Sequence, residues 1–219
     1  MQGHQVTAQK PHTAAWMGGA VLTTAMIGTA ELLRHGAGTH GIEGALRLTA
    51  RWAYCFFWPA YAGGALAATF GPFFRPLARR ARELGLAFAS AQSFHLLLVA
   101  WLYAISPTPP LPRSLAMFFL IAAAFMYILA LCSIPTLARK LPPPLWRAVR
   151  TLAMEYIALA FLLDFIRHPL ALDTRHLIEY TPFALLGLGA LLLRLVGYAR
   201  ALLHRQDSHH DQERQTDAA

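Results

Sequence analysis

LAMFFLIAAAFMYILALCSIPTL, residues 115–137, runs for 23 residues without a charge. Coiled as an α-helix at about 1.5 Å per residue it reaches about 34 Å, enough to cross a hydrocarbon core of about 30 Å. Five further apolar stretches flank it, at 14–33, 52–70, 84–105, 149–166 and 180–198. Gly36 and Gly38 follow the first, Gly71-Pro72 the second, and Pro107, Pro109, Pro110 and Pro112 the third. Pro142, Pro143 and Pro144 stiffen the connection after the fourth. Prolines fit connections between helices, where no backbone donor is needed.

Composition points the same way. The 219 residues are 56% hydrophobic and 14% charged, with mean hydropathy +0.41. A soluble domain carries roughly 25% charged residues, so this chain has too few charges to cover a water-facing surface. An ordinary soluble enzyme, a disordered chain and a disulfide-stapled secreted module are excluded. The two cysteines, Cys55 and Cys132, fall on different helices at opposite depths and read as packing residues.

The reading is an all-α membrane protein, a six-helix bundle. A short segment (1–13) precedes the transmembrane domain (14–199), and a polar tail (200–219) follows it, expected to be disordered. The fifth stretch contains Glu155 and Asp164, so a re-entrant helix competes with a full crossing there. The crossing is preferred because 157–163 is strongly apolar. The first stretch could pass for a signal peptide, but its leading segment has only Lys10 and its apolar run is long for one.

The Lys+Arg distribution sets orientation. Twelve basic residues lie on one side, among them Arg75, Arg79, Arg80, Arg82, Arg139, Lys140, Arg147 and Arg150, against six on the other. Both termini are therefore expected in the cytoplasm of a bacterial inner-membrane protein. This bias also accounts for the net charge of +8, leaving no case for nucleic acid. Trp52 and Trp101 are expected at the outer interface, Trp16 and Trp146 at the inner one. The Gly63-Gly64 pair with Ala60, Ala67 and Ala68 predicts a close-approach face, on which Gly64→Leu should disturb folding more than Leu66→Ala.

Ionisable groups inside lipid are costly and mark functional candidates. The set is Glu31, Arg51, His95, Glu155, Asp164 and Arg194. Arg51 and Arg194 lie close enough to helix ends to snorkel. Glu31 neighbours Arg34, and Asp164 has Arg167 or Arg51 for a partner. His95 alone is mid-membrane, one turn from Gln92 on a similar face. An axial heme ligand or proton-relay group is one reading, a neutral imidazole bonded to a neighbouring helix the other.

The run Leu46-Arg-Leu-Thr-Ala-Arg51, the aromatic helix after it, and Arg79-Arg-Ala-Arg-Glu-Leu-Gly-Leu-Ala-Phe-Ala-Ser-Ala-Gln-Ser-Phe-His95 resemble the ferric reductase-like transmembrane family, over about 41–166. The resemblance implies six helices carrying heme b and transmembrane electron transfer, with His95 as cofactor and iron ligand. It also implies arginines such as Arg51 and Arg79 near propionates, an external quinol or flavoprotein donor, and an acceptor subunit. The sequence departs from the family pattern: Gln92 stands where relatives often have His, and the fifth helix has none, with Arg150 and Asp164 near the expected positions. Met154 and His168 are the remaining candidates for a second ligand. The rival reading is a non-heme multi-pass protein that binds a lipid or quinone, carries a small solute, or assembles with a partner subunit.

Overall fold

The computed structural model describes residues 12–134, 137, 140, 142–167 and 174–217, and among them there is no strand. Seven helices follow in order: α1 (His12–His35), α2 (Thr39–Phe70), α3 (Arg75–Arg79), α4 (Ala81–Ile105), α5 (Arg113–Cys132), α6 (Pro143–Arg167) and α7 (Thr174–Asp217), with a 3-10 turn at Pro72–Phe74 before α3. The segment 1–11 and His168 lie outside the described residues.

Among the described residues four helices are long and apolar enough to cross a membrane: α1, α4, α5 and, within α7, Ile178–Ala199. They coincide with four of the six expected stretches. α2 and α6 have the length, 32 and 25 residues, but not the apolarity. Burial gives the physical reason for α2. It packs against α1, α4 and α7 and buries thirteen residues, from Gly41 to Leu66. A helix enclosed by protein need not satisfy lipid and can afford Thr49, Tyr54, Tyr61 and several glycines. α5 is the opposite case. Its span is the most apolar, with mean hydropathy 2.6, yet it buries only Ala122 and Met126. Leu120 and Leu131 stand exposed on it, as expected of a lipid-facing surface.

The core is aromatic and sits between α2, α6 and α7. The Tyr54 ring centroid lies 4.9 Å from Phe165 and 5.1 Å from Phe161. One turn on, Phe57 stacks on Tyr61 at 5.4 Å and reaches Phe88 of α4 at 5.1 Å. Edge and tilted contacts of this kind add about 0.5–1.5 kcal/mol each beyond area burial.

Glycine sets two close passages. At the α1–α2 turn Gly36 has φ +82°, and a Cβ on Gly41 would strike the Gly36 carbonyl oxygen. On α2, a Cβ on Gly63 would come 3.2 Å from Leu77 Cγ and 3.3 Å from the Ala78 backbone nitrogen. The close-approach face therefore rests on Gly63. A Cβ on Gly64 meets nothing within 4 Å, so the expectation for that residue is corrected.

Three further expectations change. The second helix begins at Thr39 rather than near 52, because Glu43, Arg47 and Arg51 mask its first half in a hydropathy reading. Trp52 consequently falls in the middle of α2 rather than at its start, and its indole Nε1–H donates to Thr23 Oγ1 of α1 at 3.0 Å. α7 continues as helix to Asp217, where the sequence reading expects a disordered tail from 200. No Gly or Pro follows Gly197 in that segment, and Ala, Leu, Arg, Gln and Glu favour helix.

Candidate functional site

His95 projects from α4 towards α2. Its Nδ1 lies 2.9 Å from Thr49 Oγ1. Thr49 in turn donates its single hydroxyl hydrogen to the Ala45 carbonyl at 2.8 Å, the back-bond usual for threonine in a helix. The Gln92 side-chain oxygen Oε1, one turn earlier, is buried with no hydrogen-bond partner among the described residues. The bonded-imidazole reading of His95 thus has a specific partner on a neighbouring helix.

Glu155 and Arg194 form the second polar cluster, one that the sequence reading leaves as separate groups. Arg194 Nε donates to Glu155 Oε1 at 2.8 Å, and Tyr61 donates its hydroxyl to Glu155 Oε2 at 2.5 Å. The guanidinium also donates to the Tyr61 carbonyl at 3.1 Å and to the Tyr198 hydroxyl at 2.6 Å, and it lies 4.5 Å over the Tyr61 ring. Arg194 is therefore held between helices rather than extended to headgroups. Two charges and two phenols satisfy one another and tie α2, α6 and α7 together.

A third cluster lies towards the other end of α2. Arg51 donates to Glu179 at 2.7 Å and sits 4.2 Å over the Tyr180 ring. The partner of Arg51 is thus Glu179, which lies just before the sixth apolar stretch. Glu31 pairs with His35 at 3.1 Å, its own next turn, and packs over Gly44 of α2.

A cavity of about 550 Å³ opens where α2, α3, α4, α5 and α6 meet. Phe57, Phe88, Met126, Leu129, Met154 and Ile157 form its apolar wall. Arg79, Arg82 and Arg150 line it from three different helices, beside Trp146 and Ser133. Arg82 forks its Nε and one terminal nitrogen onto the Ser133 carbonyl, 3.2 and 2.9 Å, just past the C-terminus of α5. That placement of a cation complements the negative end of the helix dipole. None of the lining residues is acidic. The sequence reading uses these arginines for orientation and, through the resemblance, sets Arg79 near propionates; their convergence on one cavity is visible only in the fold.

Heme needs a slot for the macrocycle and an axial donor in the same place. His95 does not line the cavity, and no lining residue is a histidine. The cavity's soft donors are Met126, Met154 and Cys132. Among the described residues no three His, Cys, Asp or Glu side chains group to hold a metal. The residues described do not fit a heme held by His95 in this cavity. Compared with family models, with curated proteins and with solved structures, the chain matches none.

Proposed function

We propose that this chain is a six-crossing inner-membrane protein, both termini cytoplasmic, that binds an amphipathic membrane molecule, a lipid or quinone, between its helices. The observation that carries this reading is the cavity at the meeting of α2, α3, α4, α5 and α6: apolar inside, cationic at its lining arginines, and about 550 Å³ in volume. Ligand pockets fall roughly between 300 and 1,000 Å³ and combine an apolar wall with a few placed polar groups. The Lys and Arg bias supports the orientation, and in that orientation the arginine end of the cavity faces the cytoplasmic headgroups. α2 and α6 complete the six crossings as helices shielded by their neighbours.

Gly85 supplies the test. It lines the cavity, and a Cβ added there meets nothing within 4 Å. Gly85→Leu fills the space without displacing the backbone. Native mass spectrometry of the purified protein is expected to detect co-purified hydrophobic molecules that Gly85→Leu releases. Equal retention in both proteins would overturn the cavity as the binding site.

A further inference from the structure

We infer that the cavity recognises its ligand by an anionic headgroup, and that the ligand is a phospholipid with a net negative phosphate head, such as phosphatidylglycerol. This deepens the proposed function and rests on it. Three guanidinium groups converge on the space from three helices: Arg79 from α3, Arg82 from α4, Arg150 from α6. Arg82 spends two donors on the Ser133 carbonyl. Arg79 and Arg150 make no ion pair or hydrogen bond among the described residues. The two segments that frame this end, 71–82 and 133–150, carry eight basic residues and no Asp or Glu.

The contrast with the half-buried arginines gives the inference its force. Arg194 is neutralised by Glu155 and Arg51 by Glu179. Arg79, Arg82 and Arg150 are exposed, and among the described residues that line the cavity they gather with no acid beside them. Arginine matches phosphate with a planar fork of donors. Trp146 lines the same region, with an indole suited to headgroup depth, and Phe57, Phe88, Met126 and Ile157 offer an apolar path for a chain. A neutral quinone would use the wall and leave the arginines without a counter-charge. Free phosphate would satisfy the arginines and leave the wall empty.

The test uses the full chain in detergent, titrated with phosphatidylglycerol or with phosphatidylcholine of the same acyl chains, and counts lipids retained by native mass spectrometry. Phosphatidylglycerol is expected to be retained preferentially. Arg79→Gln and Arg150→Gln should each lower its retention roughly fivefold, the factor equivalent to the ~1 kcal/mol that a basic residue near an anionic surface contributes. Phosphatidylcholine retention should not change. Arg147→Gln, on α6 outside the lining, should leave both unchanged; a loss equal to that of Arg150→Gln would reduce the effect to general surface charge and overturn the proposal. Millimolar inorganic phosphate that displaced the lipid completely would overturn the lipid as source. If both lipids bind equally and Gly85→Leu releases both, the headgroup inference falls and the cavity reading stands. If Gly85→Leu releases neither, the cavity reading itself falls.

Discussion

Arg194 of α7 and Glu155 of α6 meet at 2.8 Å, with the Arg194 side chain 18% and the Glu155 side chain 29% exposed. Tyr61 of α2 bonds both, donating its hydroxyl to the carboxylate and accepting the guanidinium at its carbonyl. Three helices are thus joined by one ion pair in a low-dielectric setting.

Removing either charge leaves the other without compensation. Loss of one partner of a buried pair costs roughly 3–5 kcal/mol, while replacing both by apolar groups is often near neutral. Glu155→Leu and Arg194→Leu are each expected to lower thermal stability in detergent, toward the low end of that range because both groups are partly exposed. The double variant is expected to recover most of the loss. Additive losses in the double variant would show that the two side chains act independently.

The α2–α3 contact makes a discriminating pair of substitutions. Gly63→Leu must push Leu77 and the Ala78 backbone aside, whereas Gly64→Leu enters open space. Overpacking costs about 1–3 kcal/mol. Thermal unfolding should register that loss for Gly63→Leu and a much smaller change for Gly64→Leu. A larger loss at Gly64 would place the close-approach face where the sequence pattern alone suggests it.

For His95 the expected outcome is structural. The protein purified from cells supplied with excess heme is expected to show no Soret band. His95→Ala and Thr49→Val should each cost about 0.6 kcal/mol, the average for a hydrogen bond between membrane helices. A Soret band that His95→Ala abolishes would restore the ligand role that the resemblance implies.

Apolar length was legible wherever a helix faces lipid. Residues 115–137 announce α5 because its exposed Leu120 and Leu131 must be apolar. The first half of α2 was not legible: Glu43, Arg47 and Arg51 lower its hydropathy, yet neighbouring helices cover Ile42, Ala45 and Thr49 completely. The site divides in the same manner. His95 stood out as a lone mid-membrane imidazole, and its Thr49 partner is 46 residues away in the chain. The Glu155–Arg194 pair spans 39 residues, and the three cavity arginines come from separate helices. No local spacing encodes such encounters.

The proposed topology rests on the charge bias and is tested by fusions. A reporter active only in the cytoplasm should work after Ala219, and a periplasm-dependent one should work in the 106–112 connection between α4 and α5. Activity of the periplasmic reporter at Ala219 would reverse or remove a crossing.

The enclosure of α2 leads to an expectation about its insertion. Burying thirteen residues against α1, α4 and α7, it carries polar groups that lipid would penalise and protein satisfies. Charges at a helix centre cost roughly 2.5–3.5 kcal/mol in membrane-insertion scales. Thr49, Trp52 and Arg51 gain partners from other helices in His95, Thr23 and Glu179. Segment 39–70 alone, placed in a glycosylation-reporter host, should therefore insert inefficiently. Joined to α1 as 12–70 it should insert better, since α1 brings Thr23 and covers Gly44 with Glu31. Extending the segment through α4 should raise insertion further by adding His95 to Thr49. If 39–70 inserts fully by itself, its polarity is tolerated by lipid directly, and shielding by neighbours does not explain why this helix escapes a hydropathy reading.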